Sequence, residues 1–177
     1  MILIGFGGNL ESPDYGAPEN NIRVALEMLA GRGVKLDRLS EFYETEPVPV
    51  SDQPWYVNAV ASVKTSLGAE QLLALLHDIE IEMGRVRNRR WEARLIDLDL
   101  LAYDDQVLPS MEKWAEAGRI NPPDRPVVPH PRLQERSFVL VPLVDIAPDW
   151  RHPVLDRTAR QLLADLKETG RIRKLER

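Results

Sequence analysis

The feature that most constrains this chain is a short apolar run that carries two aspartates. Residues 95–103 read L-I-D-L-D-L-L-A-Y, directly after Arg94, and this pattern predicts a β-strand. Residues i and i+2 of a strand share a face, so Asp97 and Asp99 are expected side by side, roughly 7 Å apart. The opposite face is then apolar and consists of Ile96, Leu98 and Leu100.

Two like charges on one strand face repel each other, and aspartate is depleted in strands. A cation between the two carboxylates removes that repulsion. Mg²⁺ is the natural candidate, because it prefers one or two carboxylates together with phosphate oxygens and water. We therefore predict Asp97 and Asp99 as metal ligands.

An arginine-rich segment precedes this strand. Its five arginines lie within residues 85–94, which contain no lysine: Arg85, Arg87, Arg89, Arg90 and Arg94. A guanidinium is always charged and binds phosphate oxygens in a bidentate manner, which an ammonium cannot do. Segment and strand together favour a site for a polyphosphate and its metal. The alternative left open is a solvated network in which the arginines only neutralise the acids.

Composition narrows the class of protein. The 177 residues fit a single domain, 1–177, and a net charge of −5 argues against a nucleic-acid-binding protein. The chain has no cysteine, which excludes disulfides and thiol catalysis. Neither a signal peptide nor an apolar run long enough for a membrane span is found. We expect a cytoplasmic protein without a membrane or nucleic-acid partner.

Hydrophobic periodicity predicts the order β-α-β-β-α-β. The strands are expected at 1–6, 34–46, 55–66 and 95–103, and the helices at 20–31 and 69–83. This order is the ferredoxin-like α+β pattern, an antiparallel sheet with helices on both sides in a three-layer α/β/α sandwich.

The remainder of the chain is predicted as additions to that core. We expect a short return strand near 106–108, an inserted loop over 109–128 with a helical turn at 111–117, and a core helix over 139–146 with Pro142 in its first turn. A last helix is expected from Asp156 or Thr158 to Thr169, followed by a solvated basic tail at 171–177.

Three further groups of residues are candidates for binding. Asn58 shares a strand face with Tyr56 and is suited to reading the edge of a flat heterocycle, although a structural asparagine is the alternative. His130 lies between two prolines, which restrict its backbone. His77 and Glu80 lie near the end of the second helix, where charge balance and ligand contact both remain open.

The motifs converge on one family. The chain resembles the 6-hydroxymethyl-7,8-dihydropterin pyrophosphokinases of folate biosynthesis. The matching segments span nearly the whole chain in the family's order: G-F-G-G-N-L at 5–10, F-Y-E-T-E-P at 42–47, D-Q-P-W-Y-V-N-A at 52–59, R-V-R-N-R-R-W at 85–91, R-L-I-D-L-D-L-L at 94–101 and P-H-P-R-L-Q-E-R-S-F-V-L-V-P-L at 129–143.

The resemblance implies a reaction and its site residues. A monomer would transfer the β,γ-pyrophosphoryl group of ATP to the pterin hydroxymethyl oxygen and release AMP, with two Mg²⁺ ions on Asp97 and Asp99. The implied ATP-binding residues are His77, Glu80, Arg85, Arg87, Trp91, Arg94, His130 and Arg136. The implied pterin-binding residues are Thr45, Val48, Tyr56, Asn58, Asp97 and Phe138. The implied catalytic residues are Arg85, Arg94, Asp97, Asp99 and His130.

Three departures from the family pattern are visible. Glu92-Ala93 replaces the usual Gly-Pro, Gly8 replaces a commoner Ser or Ala, and the 109–128 segment is longer than typical. Two alternative functions remain. One is a different Mg²⁺-dependent phosphoryl or nucleotidyl transferase on the same scaffold, and the other is a non-catalytic ferredoxin-like module that binds RNA through the arginine segment.

Overall fold

A six-stranded antiparallel sheet lies at the centre of the protein. The computed structural model describes residues 1–47, 52–84, 94–117, 127–167 and 169–176. The strands run in the order β5-β1-β4-β3-β6, and β2 also pairs with β4. They are β1 (Ile2–Gly8), β2 (Lys35–Leu39), β3 (Tyr43–Thr45), β4 (Tyr56–Lys64), β5 (Asp97–Tyr103) and β6 (Ile172–Lys174).

Helices cover both faces of this sheet. They are α1 (Pro18–Ala30), α2 (Ala69–Glu82), α3 (Met111–Ala117), α4 (Ser137–Ile146) and α5 (Ala159–Asp165). The core on one face joins α1 and α2 to residues such as Ile4 and Leu98. The core on the other face joins α4 and α5 to Leu3, Val60 and Leu101. The predicted three-layer α/β/α architecture is confirmed.

Local signals explain where several helices begin and end. Pro18 opens α1 two residues before the predicted start, at a position where its missing N–H costs nothing. Gly84 follows α2 with φ +91°, a conformation that glycine adopts most readily. The Thr158 hydroxyl accepts the Gln161 N–H at 3.2 Å, and the Gln161 side chain accepts the Thr158 N–H at 3.0 Å. This capping box starts α5 as predicted, but α5 ends at Asp165 rather than Thr169.

The prediction of one continuous strand over 34–46 is wrong. Two strands form instead, and Leu39 opposes Ala61 while Tyr43 opposes Asn58. The stretch from 39 to 43 is one residue longer than the stretch from 61 to 58, so it contains a bulge. Ser40 stabilises the bulge, because its N–H donates to the Val60 carbonyl at 2.9 Å and its hydroxyl accepts the Val60 N–H at 3.0 Å.

Most residues of the tail after residue 170 are exposed, as predicted, but part of the tail forms a strand that was not predicted. Strand β6 pairs with β3 and extends the sheet. Arg173 Nε donates to Glu44 at 2.6 Å, and the Arg173 guanidinium lies 5.0 Å from the centroid of the Trp55 ring. A strand of three residues with two basic side chains is typical of a sheet edge and has no apolar alternation that would identify it.

Two smaller predictions fail in the second half of the chain. Helix α4 begins at Ser137, so Pro142 is its sixth residue and lies inside the helix rather than in its first turn. The return strand expected near 106–108 is a single bridge between Leu108 and Val128. The predicted helical turn at 111–117 is confirmed as α3.

Candidate active site

Strand β5 presents its two aspartates on one face, as predicted. Leu98 and Leu100 point to the opposite face and enter the core beneath α1 and α2. Asp97 Oδ2 accepts a hydrogen bond from Arg94 Nη1 at 2.7 Å, and Asp99 Oδ2 accepts one from Arg136 Nη1 at 3.2 Å. Both carboxylates retain access to solvent, with 27% and 37% of the side chain exposed.

The sheet register places a glycine next to each aspartate. Gly7 on β1 opposes Asn58 on β4 and Asp97 on β5. Directly opposed residues of an antiparallel pair project to the same face. Asn58 and Asp97 therefore flank Gly7 on one face, with their Cα atoms about 10 Å apart across two strand spacings. Because Gly7 has no side chain, it places none between Asn58 and Asp97, and we call this surface the trough.

Strands β3 and β4 form one wall of this trough. Asn58 and Thr45 are buried, and Asn58 Nδ2 donates to Thr45 Oγ1 at 2.7 Å. Tyr56 opposes Thr45 and so shares its face. Tyr43 opposes Asn58, and its hydroxyl donates to Asp145 on α4 at 2.8 Å. Burial and the Asp145 carboxylate raise the pKa of Tyr43 to about 12, so this hydroxyl stays protonated and links β3 to α4.

Two guanidiniums form the cationic side of the site. Burial acts to lower the pKa of Arg94, but the charge of Asp97 and its hydrogen bond act in the opposite direction, and the pKa is raised overall. Arg136 lies directly before α4, with its guanidinium 5.5 Å from the centroid of the Phe138 ring. Arg94 neutralises an aspartate, as one interpretation of the arginine-rich segment held, and Arg136 from outside that segment neutralises the other. A guanidinium is also the side-chain group best suited to bind phosphate.

His130 lies at the same end of the sheet. Its backbone N–H donates to the Leu101 carbonyl at 2.7 Å, and its Nδ1 accepts the Arg132 N–H at 3.1 Å. Its Nε2 lies 3.4 Å from Arg136 Nη1. Burial lowers the pKa of His130 to about 4, although Asp99 opposes this shift. The imidazole is therefore neutral near pH 7, and contacts with β5 and Arg136 place it beside the aspartates.

Glu80 and His77 lie on α2, which covers the face of the sheet opposite the trough. Glu80 is buried, and its Oε1 accepts the Leu98 N–H at 2.7 Å. This hydrogen bond ties α2 to β5 directly between the two aspartates. His77 is half-buried one turn earlier on the helix. The structure thus gives Glu80 a structural contact, while nucleotide contacts of either residue stay predictions.

Sequence reasoning assigned Asn9 no role beyond its place in the G-F-G-G-N-L segment. Asn9 Oδ1 accepts the Arg94 N–H at 2.7 Å, and the Asn9 N–H donates to the Arg94 carbonyl at 2.9 Å. Its side chain also donates to the Pro54 carbonyl at 3.1 Å. Asn9 therefore fixes Arg94 at the end of the arginine-rich segment.

Gly8 and Asn21 fix the next residue, Leu95. An added Cβ at Gly8 would lie 2.5 Å from the Leu95 carbonyl oxygen, a distance that real Cβ atoms do not reach. Asn21 Nδ2 donates to the same carbonyl at 3.1 Å. Glycine thus replaces the commoner Ser or Ala at a position where the backbone that leads into β5 passes close to the Gly8 backbone.

Several predicted site residues lie outside the described part of the chain. They are Val48, Arg85, Arg87, Arg89, Arg90, Trp91 and the pair Glu92-Ala93. Most of the inserted segment after α3, residues 118–126, also lies outside it. The proposed roles of these residues stay predictions.

The donor atoms on β5 suit Mg²⁺. Among the described residues, no group of three or more His, Cys, Asp or Glu side chains is arranged to bind a metal. Asp97 and Asp99 supply two carboxylates on one open face. Mg²⁺ that binds through one or two carboxylates takes its remaining ligands from water and substrate phosphates. The residues present therefore fit a metal that binds together with a nucleotide.

Comparison with known proteins identifies the family. The family model for 7,8-dihydro-6-hydroxymethylpterin-pyrophosphokinase (HPPK) matches residues 3–148. The chain belongs to this family. HPPK enzymes catalyse pyrophosphoryl transfer to hydroxymethyldihydropterin in folate synthesis, so the predicted family and reaction are confirmed. The alternative of a non-catalytic module is not supported.

Individual relatives agree with this assignment. The chain is 36% identical to the 2-amino-4-hydroxy-6-hydroxymethyldihydropteridine pyrophosphokinase of Synechocystis sp. over 95% of this chain and 77% of that protein. It is also 36% identical to the enzyme of the same name from Methylorubrum extorquens, over 94% of each chain.

A solved structure supports the fold. Wild-type HPPK-DHPS of Plasmodium falciparum with pteroate superposes with a TM-score of 0.68 at 15% identity, over 92% of this chain and 43% of that longer chain.

Within the described residues, no helix is long and apolar enough to cross a membrane.

Proposed function

We propose that the trough over Gly7 binds 6-hydroxymethyl-7,8-dihydropterin beside ATP. The β,γ-pyrophosphoryl group would pass from ATP to the pterin hydroxymethyl oxygen, with AMP as the second product. The observation that carries this proposal is the register of three strands, in which Asn58, Gly7 and Asp97 are direct neighbours. That register brings the Asn58 amide and the Asp97 carboxylate to one surface, which supports binding of the heterocycle beside the metal.

The pterin half of the proposed site is the wall formed by β3 and β4. The Asn58 amide and the Thr45 hydroxyl offer donors and acceptors to the polar edge of a heterocycle. Gly7 carries no side chain beside Asn58, and an added Cβ would lie only 3.0 Å from Asn58 Oδ1. Tyr56 and Phe138 are the aromatic neighbours, and Val48 completes the set proposed from the sequence.

The nucleotide half of the proposed site is built around the two aspartates. We propose that Asp97 and Asp99 bind two Mg²⁺ ions together with ATP. When bound, Mg²⁺ neutralises phosphate charge and polarises the transferred group. Arg94 and Arg136, which pair with these carboxylates, are guanidiniums suited to bind phosphate oxygens beside them. Further ATP ligands are proposed to be His77, Glu80, Arg85, Arg87, Trp91 and His130.

Catalysis at this site would rest on alignment and charge stabilisation. In phosphoryl transfer the protein mainly positions the reactants and forms few covalent bonds itself. Preorganised cationic groups stabilise the charge that develops in the transition state. His130 is suited to a hydrogen-bonding role, because a group with a pKa of about 4 is a weak base at neutral pH.

The test is a product assay with ATP, Mg²⁺ and 6-hydroxymethyl-7,8-dihydropterin in which AMP is separated from ADP. We expect AMP and the pterin diphosphate to form in equal amounts. Neither product should form when EDTA is added or the pterin is left out. Formation of ADP would point to the alternative transferase. Absence of both products from protein that binds both substrates would overturn the proposal.

We further propose that the protein acts as a monomer in the cytoplasm, without a nucleic-acid partner. The net charge of −5 opposes binding to a polyanion. Light scattering after gel filtration should give a mass near 20.2 kDa. A stable dimer, or binding to RNA that weakens with added salt, would contradict this part of the proposal.

A further inference from the structure

The inserted segment contains one buried aromatic residue that contacts the site. Trp114 on α3 is only 7% exposed, and its indole Nε1 donates to the Pro129 carbonyl at 2.6 Å. Pro129 directly precedes His130. Trp114 therefore reaches the backbone of a proposed ATP-binding residue from a segment to which the sequence assigned no role.

Both polar groups of the peptide between Pro129 and His130 are bound. The Trp114 indole donates to the Pro129 carbonyl oxygen, and the His130 N–H donates to the Leu101 carbonyl on β5 at 2.7 Å. A peptide unit is planar, so contacts at its two ends fix the orientation of the whole plane. The direction in which the His130 side chain leaves the backbone is set by that plane. Helix α3 and strand β5 thus orient His130 from opposite sides.

Trp114 is itself anchored on another histidine, His152, which is buried. Its ring meets the His152 imidazole edge to face, with ring centroids 5.4 Å apart, and Trp150 meets the same imidazole at 5.7 Å. His152 is 0% exposed, and its Nδ1 accepts the N–H groups of Val154 and Leu155, each at 3.2 Å. In the neutral imidazole the proton is therefore on Nε2, which has no hydrogen-bond partner in the described part of the chain.

The buried His152 imidazole makes its ring contacts with two indoles, those of Trp114 and Trp150. A buried N–H without an oxygen or nitrogen acceptor is stabilised by the π face of an aromatic ring. Two indoles lie against this imidazole. The cluster formed by Trp114, Trp150 and His152 therefore gives the Trp114 ring a fixed position from which its N–H reaches Pro129.

We propose that Trp114 is a positioning residue for His130 and thereby sets the affinity of the site for ATP. This inference rests on the proposed role of His130 in nucleotide binding. Trp114 has no proposed contact with either substrate. Its effect is transmitted through one peptide unit, so it should alter nucleotide binding and leave pterin binding unchanged.

The test compares two substitutions of the same kind. Trp114→Phe keeps a ring against His152 and removes the N–H that binds Pro129. Trp150→Phe is the matched control, since Trp150 packs on the same imidazole but has no hydrogen bond to that peptide among the described contacts. We expect Trp114→Phe to raise the KM for ATP about three- to tenfold, the usual effect of one lost hydrogen bond. The KM for the pterin should stay within twofold in both variants.

A double substitution separates positioning from general packing. In a His130→Ala background, Trp114→Phe should cause no further rise in the KM for ATP, because the side chain it orients is gone. Additive effects of the two substitutions would overturn the proposal. An equal rise in both KM values, or a wild-type KM for ATP in Trp114→Phe, would also overturn it.

A spectroscopic measurement tests the same contact independently of turnover. The chain has three histidines, so the ¹⁵N signals of the imidazoles can be assigned individually. Trp114→Phe should shift the His130 signals, and Trp150→Phe should leave them in place. In the unaltered protein, binding of a non-hydrolysable ATP analogue should shift the indole N–H signal of Trp114. If wild type forms no AMP, the proposed function fails, while these signals still decide whether Trp114 orients His130.

Discussion

The face of the sheet beneath α4 and α5 has a polar end and an apolar end, although the same three strands form both. At the polar end, β1, β4 and β5 contribute Gly7, Asn58 and Asp97. At the apolar end the same strands contribute Leu3, Val60 and Leu101, each 0% exposed beneath the two helices. Only two to four residues along each strand separate the two ends.

The difference shows that stability and chemistry are separated along each strand. Burial of the apolar end stabilises the fold by about 25 cal/mol for each Å² of apolar surface removed from water. The partly exposed ion pairs of the polar end contribute little to stability, but they bring four charged groups together. Changes at the polar end should therefore affect turnover, and changes at the apolar end should affect the free energy of unfolding.

The largest expected effect is on turnover, at the polar end. Asp97→Ala or Asp99→Ala should lower kcat about a thousandfold or more, because loss of a metal that stabilises transition-state charge costs several kcal/mol. The melting temperature should change by only a few degrees, since each removed carboxylate is partly exposed. AMP formation and thermal unfolding measure the two effects.

The matched change at the apolar end of the same strand is Leu101→Ala. It should lower the free energy of unfolding by about 2–5 kcal/mol, while the folded fraction keeps its kcat. Wild-type turnover in either aspartate variant would contradict the metal assignment. A Leu101→Ala protein that loses kcat without losing stability would contradict the separation itself.

A second effect is the response of stability to acid at the buried His152. Burial lowers the pKa of His152 to about 4 from an ordinary value of 6.5. The unfolded chain therefore takes up the proton first, and the stability that neutral His152 provides is complete above pH 6.5 and is lost as the pH falls towards 4. At pH 4.5 the loss should be roughly 2–3 kcal/mol.

Urea unfolding at pH 7.5 and pH 4.5 measures this loss. His152→Asn retains an acceptor for the Val154 and Leu155 N–H groups but cannot take up the proton, so the pH dependence should become smaller. Part of it should remain, because burial also lowers the pKa of His130 to about 4. An unchanged difference between the two pH values would exclude His152 as its source.

A third effect comes from two glycines on the same face of β1. An added Cβ at Gly7 would lie 3.0 Å from Asn58 Oδ1, whereas a Cβ at Gly5 would meet the flexible Leu101 side chain at 3.3 Å. Gly7→Ala should therefore displace Asn58 and raise the KM for the pterin about tenfold. Gly5→Ala should leave that KM within twofold. If Gly7→Ala and Gly5→Ala have the same KM for the pterin, the trough is not the pterin site.

The smallest effect is expected at the far edge of the sheet. Arg173→Ala removes the ion pair with Glu44 and the contact with the Trp55 ring, which are worth about 0.5–1 kcal/mol together at such an exposed position. The loss should shrink as salt is added, and kcat should not change. Arg173→Lys keeps the charge and serves as the control for the stacking contact.

The sequence predicted the parts of this site that depend on alternation within one strand. The shared face of Asp97 and Asp99 follows from a period of two, and so does the shared face of Tyr56 and Asn58. These relations are local, and they were predicted without knowledge of the neighbouring strands. The family resemblance added the identity of the substrates.

The features that sequence reasoning missed depend on distant contacts. Asn9 binds the backbone of Arg94, and Glu80 binds the backbone of Leu98, but no local pattern distinguishes such a residue from one in a turn or on a helix surface. The bulge at Ser40 inserts one residue without changing the apolar pattern enough to reveal it. Strand β6 is short and charged, so only its pairing with β3 identifies it.

Strand β5 lies at the end of the strand order, where free N–H and C=O groups would allow a strand of a second molecule to add to the sheet. The Leu98 N–H is taken by Glu80 and the Leu101 carbonyl by the His130 N–H. These contacts thus occupy two groups on β5 that a strand of a second molecule could otherwise bind. Substitutions at Glu80 should therefore be judged by solubility at high concentration as well as by turnover.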